Sequence, residues 1–339
     1  MRAPGGAARR ALPAVAGVAI SVGLMVWAFR GVRLDDLWTH IVGARSGPLL
    51  LAIMLATATF PLRLVRWRLL LRRESGRALP AGPLWHAIAI GFMANNLLPF
   101  RAGELIRAAT ATRLANARFT AVLSSIGIER IFDALAVVAL LTVALFSSGL
   151  PADVSIAGVS LAHAAQVTGA MSGAALLAAI LMVAFPGAAE RLLRRALPIG
   201  RVGDRIVAAI EGVRHGLMAL RAPALLAGVV GWSLLIWSVN ALAFYVGFKA
   251  FGIQVSYPGA LLLQGVLVFG ISVQLTPGYL GQFEAAIVAA LALYQVPNDL
   301  ASSYGLAFHA TTFLPVIALG IWSLLRTPIT MRDLRRPAP

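Results

Sequence analysis

Hydrophobic positions along this chain come in unbroken runs rather than at the spacing of an amphipathic helix. Residues 11–29, 164–189, 222–248 and 250–283 contain no Asp, Glu, Lys or Arg. A bilayer crossing needs about 20 such residues, so the pattern predicts an all-α polytopic membrane protein. About six full spans follow, near 11–29, 47–64, 126–146, 164–185, 222–248 and 301–325. Two further segments do not read as plain spans. Residues 84–118 are broken at Pro99, and residues 258–294 are broken at Pro277-Gly278. Each is long enough to form a helical hairpin that enters and leaves on one face.

The breaks resemble each other. One reads NLLPFRAGE (96–104) and the other QLTPGYLGQFE (274–284). In both, an amide side chain lies three residues before the proline, a glycine four after it, and a glutamate shortly beyond. The order span, span, hairpin, span occurs twice in opposite orientations. It divides a single membrane domain, 1–339, into inverted halves 11–149 and 164–325 joined at 150–163. Interrupted segments in corresponding positions of two inverted halves point to a transport site near the bilayer midplane.

Arginine sets the orientation. RLVRWRLLLRRESGR (63–77) carries Arg63, Arg66, Arg68, Arg72, Arg73 and Arg77, and reads as a cytoplasmic loop under the positive-inside rule. Loop 150–163 has no Lys or Arg and suits the outer face. The basic stretch 187–221 places Ile206, Val207, Ile210, Val213 and Leu217 opposite Arg205, Arg214 and His215, as in a helix lying on the cytoplasmic surface. Both termini then fall in the cytoplasm, in the inner membrane. Arg2, Arg9 and Arg10 precede a first helix that reads as retained rather than as a cleaved signal peptide.

Composition agrees. Of 339 residues, 59% are hydrophobic and 12% charged, about half the charged fraction of a soluble domain. Mean hydropathy is +0.84. The net charge of +16 would suggest nucleic acid in a soluble protein. Here the arginines cluster at the ends of apolar runs, so nucleic acid is not expected as a partner. With no cysteine, disulfides, thiolate metal sites and a Cys nucleophile are excluded. No zinc-protease, nucleophile-elbow, nucleotide-loop or dinucleotide motif is present, so neither a metal nor a cofactor is expected. No soluble stretch exceeds about 40 residues, too few for an ATPase or transferase domain.

The chemistry lies in the broken segments. Irregular backbone survives in hydrocarbon only inside protein or beside a watery cavity. Asn95, Asn96 and Gln274 can satisfy backbone groups that Pro99 and Pro277 leave open, while Gly103, Gly278 and Gly281 allow close approach. A helix restarting at Phe100 or Arg101 would turn free amides toward the cavity and favour an anion. Arg101, Glu104 and Arg107 share roughly one face of that helix, and Glu129, Arg130, Asp133 and Glu284 add four charges. Each bare charge at mid-bilayer would cost about 2.5–3.5 kcal/mol. These groups must pair, face water or lie near the surface. Blander readings remain open: a snorkelling helix end for Arg101, Glu104 and Arg107, and an ion-pair brace for Glu129, Arg130 and Asp133. Arg63 and Arg66, beside Trp67, read as interfacial anchors. Asn240, Lys249, Tyr304 and His309 read as packing or interface residues.

RLVRWRLLL (63–71), NNLLPFRAGELIR (95–107), ERIFD (129–133) and PGYLGQFE (277–284) together resemble the flippase-like membrane family typified by the transmembrane half of lysylphosphatidylglycerol synthases. The resemblance covers about residues 10–327, and NxxPxRxGExxR is its most specific part. It implies translocation of a polar or anionic lipid between leaflets, with Arg101, Glu104, Arg107, Glu129, Arg130, Asp133 and Glu284 at the motif positions. Arg101 and Arg107 would engage the headgroup phosphate, and the carboxylates would balance them. The lipid itself is the expected partner, alongside a homo-oligomer or a separate lipid-modifying enzyme. Because the sequence stops at Pro339, the synthase activity does not carry over, and a transporter rather than an enzyme is expected. The alternatives are an ion-coupled transporter of a small polar solute and an accessory subunit of a glycosyltransferase.

Overall fold

The computed structural model describes residues 19–71, 77–98, 101–147, 155–156, 159–160, 222–272, 274 and 276–329. The predicted span 164–185, the amphipathic stretch after 187, Pro99 and both termini lie outside the described residues. Ten α-helices run through the rest. They are α1 (Ala19–Ala28), α2 (Leu34–Val42), α3 (Ser46–Leu70), α4 (Ala81–Leu97), α5 (Ala102–Ala115), α6 (Phe119–Ser147), α7 (Pro223–Ala250), α8 (Tyr257–Gly270), α9 (Gln282–Ala292) and α10 (Asn298–Leu325). Four of these, α3, α6, α10 and residues Ala224–Ala250 of α7, are long and apolar enough to cross a membrane. The protein is an all-α polytopic membrane protein. Between α6 and α7 the described residues include a two-residue antiparallel pair, Ser155–Ile156 with Val159–Ser160.

The two interrupted segments are helical hairpins. In the first, α4 ends at Leu97 and α5 begins at Ala102, and the two pack along each other. In the second, α8 turns into α9 through a 3₁₀ turn at Pro277–Tyr279. At 1.5 Å per residue their arms span about 26, 21, 21 and 17 Å, each short of the roughly 30 Å hydrocarbon core. The α4–α5 turn is tight because Gly103 lies directly against the Gly91 carbonyl and the Asn95 backbone. A β-carbon at residue 103 would collide with both. Gly103→Ala is therefore expected to splay the hairpin and lower thermal stability by several degrees in detergent. A melting temperature equal to wild type would refute the close-approach argument.

Packing between the hairpins and the spans is reciprocal. α4 lies against α10, and α8 lies against α6. The second arms pack at home, α5 on α6 and α9 on α10, while α3 and α7 pack along each other. Small residues make these crossings close, as is usual where lipid offers no hydrophobic drive. Gly265 of α8 sits under Leu141 of α6, Gly320 of α10 under Met93 of α4, and Gly247 of α7 under Phe308 of α10.

One prediction needs correction. Arg63 and Arg66 do not belong to a loop, nor are they interfacial anchors. α3 continues through both to Leu70, and they are 8% and 0% exposed. Their three-residue spacing puts both guanidinium groups on the helix face that meets α6 and α7. The compensating charges come from α6, far away in sequence.

Candidate functional site

Most of the charges singled out in the sequence converge on one buried network. Glu129, fully buried on α6, accepts a bidentate pair from Arg107 of α5, with Nη1 and Nη2 both at 3.0 Å. Arg66 Nη2 lies 3.2 Å from Glu129, and Arg130 Nη2 donates to it at 2.8 Å. One turn on, Asp133 Oδ1 accepts Arg66 Nη1 at 2.5 Å and the Trp237 indole N–H at 2.9 Å, while its Oδ2 stands 3.0 Å from Arg130 Nη2 as an ion pair. Arg66 also donates to the Ser233 hydroxyl at 2.8 Å. The Arg107 guanidinium is capped by Trp67, 3.7 Å from its ring centre, and the Trp67 N–H in turn donates to Ser125. Burying these ions is tolerable because nearly every oxygen has a cationic donor; removing one partner would strand the rest.

Toward the hairpin tip the pairing thins. Arg101 Nη1 and Arg130 Nε stand 4.0 and 3.9 Å from Glu104. Arg63 Nη1 comes no closer than 3.7 Å to Asp133, and its guanidinium is held by the rings of Phe92 and Trp237. Counted together, Arg63, Arg66, Arg101, Arg107 and Arg130 face Glu104, Glu129 and Asp133. Two positive charges remain unbalanced within the group.

Gln274 ties the two hairpin tips together. Its side-chain oxygen accepts the Arg101 backbone N–H at 2.9 Å, and its amide nitrogen donates to the carbonyls of Asn95 and Leu98 at 2.6 and 3.0 Å. The Arg101 amide is thus engaged by Gln274 rather than turned into open space. Gly278 packs near the Asn96 carbonyl from the other side. Both tips use left-handed backbone, at Arg101 (φ 53°) and Tyr279 (φ 58°) as well as at Gly278 and Gly281. Non-glycine residues rarely adopt that region.

Glu284 stands apart from the arginines. Fully buried at the start of α9, it accepts the Gly281 N–H at 2.8 Å and meets His309 Nδ1 of α10 at 2.6 Å. The His309 ring stacks on Phe283 and meets Phe313 edge-on. His309 is therefore more than a packing residue. Its place in an uncharged run offered no such signal. Tyr304, by contrast, is core: fully buried among Phe248, Phe251 and Phe308.

Among the described residues, two cavities open where the hairpins meet. A polar one of about 270 Å³ is lined by Arg63, Asn95, Arg101, Glu104, Arg130, Asn240 and His309, among others. An apolar one of about 310 Å³ is lined by Leu97, Pro277, Leu280, Leu306 and Phe313, with Glu284 in its wall. Asn96, His309 and Phe313 border both. Arg66, Arg107, Glu129 and Asp133 stand behind the polar cavity rather than lining it.

Broken helices whose tips meet beside a charged cavity, backed by a buried ion network, define a polytopic membrane protein with a polar interior. The chain belongs to the family described as the lysylphosphatidylglycerol synthase TM region, which it matches over residues 14–320. Over 95% of its length it is also 28% identical to the Glycosyltransferase AglD of Haloferax volcanii. The chain spans 55% of that relative's length. Together these kinships indicate a membrane lipid-related role, and the matched family is the transmembrane part of the synthases, without their catalytic domain.

Proposed function

We propose that this protein translocates a lipid with a polar, anionic headgroup between the leaflets of the cytoplasmic membrane, acting as a transporter rather than an enzyme. The observation that carries this reading is the pairing of cavities at the hairpin tips. One is walled by arginines in excess of carboxylates, and its neighbour, sharing Asn96, His309 and Phe313, is apolar. Such a pair suits an amphiphile whose headgroup leaves water while its chains stay in hydrocarbon. The reciprocal packing of α4 on α10 and α8 on α6 supports two inverted halves, 11–149 and 164–325, with both termini cytoplasmic.

In this reading Arg101 and Glu104 meet the headgroup, Asn95, Asn96 and Gln274 hold the hairpin tips, and Arg107, Glu129, Arg130 and Asp133 fix the charged wall. Glu284 works with His309 at the boundary between the cavities. Reconstituted into vesicles with fluorescent anionic lipid, the wild type is expected to exchange it between leaflets. Arg101→Ala and Glu284→Gln are expected to abolish exchange while eluting and melting as wild type. The glutamine still accepts the Gly281 N–H, so the fold is spared. Wild-type exchange by either variant would refute the assignment of these residues.

The relative named as a glycosyltransferase supports a second reading, in which this chain serves a glycosyl-transferring enzyme as a membrane subunit. Copurification of such an enzyme, without leaflet exchange by the purified chain, would favour it.

A further inference from the structure

The cavity walls carry information about the charge of the cargo. Five guanidinium groups stand against three carboxylates, but they are not equivalent. Arg66 and Arg107 are committed to Glu129 and Asp133 and lie behind the wall. Arg63, Arg101 and Arg130 line the cavity. Each keeps a buried N–H group with no hydrogen-bond partner among the described residues (Arg63 Nη1, Arg101 Nε and Arg130 Nε), as do Arg66 at Nε and Nη2 and Arg107 at Nε behind the wall, so their place at the cavity is what sets the three apart. Asp133 Oδ2 lies 3.7 Å from Arg63 Nη1 and 3.0 Å from Arg130 Nη2 but accepts a hydrogen bond from neither among the described residues. The Arg63 side chain is 9% exposed, and aromatic faces hold it from two sides. A buried guanidinium left short of acceptors is costly unless a ligand supplies them.

We propose that this cavity seats a phosphate group carrying two negative charges, a phosphomonoester or diphosphate, on Arg63, Arg101 and Arg130. Two negative charges match the two positive charges left over. A phosphodiester would leave one unbalanced. A lysyl ester of a phosphodiester lipid, whose two amines outnumber its one negative charge, would worsen the excess. The cargo is therefore an acidic lipid phosphate rather than a cationic aminoacyl lipid. Arg63 joins the phosphate site, and Arg107, already gripped by Glu129 beneath Trp67, acts only as a support. The inference rests on the lipid-translocation reading for what is moved. The phosphate seat itself stands on the geometry, and a soluble phosphate could use the same chemistry.

Calorimetric titration of the purified full-length protein in detergent tests this. The probes are dihexanoyl phosphatidic acid, dihexanoyl phosphatidylglycerol, dihexanoyl phosphatidylcholine and inorganic pyrophosphate. Phosphatidic acid is expected to bind at least about tenfold more tightly than phosphatidylglycerol, the worth of one more charged hydrogen bond. Phosphatidylcholine is expected to bind more weakly still. Arg63→Gln is expected to erase the advantage of phosphatidic acid. Arg63→Lys, which keeps the charge but loses the planar fork, is expected to retain part of it. The wild-type ranking needs no variant, so a misfolded Arg63→Gln would not shield the proposal. Equal affinity for the three lipids, or tighter binding of phosphatidylcholine, would overturn it. Pyrophosphate binding as tightly as phosphatidic acid would keep the seat and assign it to a soluble phosphate, against lipid transport. Selective phosphatidic acid binding without leaflet exchange would keep the seat and reject transport. Exchange of all lipids without binding selectivity would do the reverse.

Discussion

Glu129→Gln is expected to destabilise this protein more than any other single substitution in its polar centre. The carboxylate receives Arg107 through both oxygens and lies within 3.2 Å of Arg66 and 2.8 Å of Arg130. An amide of the same shape withdraws one negative charge and turns an N–H₂ group toward guanidinium groups that have no lone pair to offer. Arg63, Arg66, Arg107 and Arg130 would then face Asp133 as their only buried carboxylate among the described residues. Stranding a buried ion in this way costs about 3–5 kcal/mol. The expected readout is a large fall in the melting temperature of the detergent-solubilised protein, or loss of its monodisperse elution peak. Pairing the change with Arg107→Met should cost less than the two single effects combined, because the double variant removes both charges of one pair. A melting temperature for Glu129→Gln near wild type would show that the network is not what holds α5, α3 and α6 together.

Substitution of Gln274 is expected to have the second largest effect, through the backbone rather than through charge. Its single amide accepts from Arg101 and donates to the carbonyls of Asn95, in the last turn of α4, and Leu98, just past its end. Only a side chain holding both donors and an acceptor can serve all three. Gln274→Leu leaves three backbone groups without this partner, each worth about 1–3 kcal/mol when buried. Gln274→Glu is the sharper test, since it keeps the length and one acceptor but loses both donors. Both variants are expected to melt earlier and to lose leaflet exchange, because the tips that frame the cavity are no longer joined. If Gln274→Glu behaves as wild type in both assays, the tie between the hairpins is dispensable.

Much of the architecture was legible from hydropathy alone. The predicted spans at 126–146, 222–248 and 301–325 lie within or almost within α6, α7 and α10. The break at Pro277-Gly278 coincides with the second hairpin turn, and the first hairpin's arms end at Leu97 and begin at Ala102 on either side of the other. Periodicity carried no part of this; long uncharged runs and their interruptions carried all of it. The same logic erred at Arg63 and Arg66. A hydropathy reading ends a helix at its first arginines, since a guanidinium in lipid is expensive. Here α3 runs on because Glu129 and Asp133 supply the missing charge. Their three-residue spacing beside Trp67 was the available hint, and it reads equally well as a membrane-surface anchor. His309 gave less warning still, because nothing local distinguishes a histidine facing a carboxylate from one facing lipid.

By itself the sequence determined that this chain lives in a bilayer, where it is interrupted, and that its intramembrane charges could not be left bare. Those conclusions follow from transfer energies, which depend on composition within a single segment. Only the tertiary structure decided which charge meets which, that Gln274 reaches across to the other hairpin, and that Arg63 rather than Arg107 looks into the cavity. Such choices rest on distances between groups far apart in the chain. An ion pair changes from worthless to indispensable over an ångström or two when water is excluded.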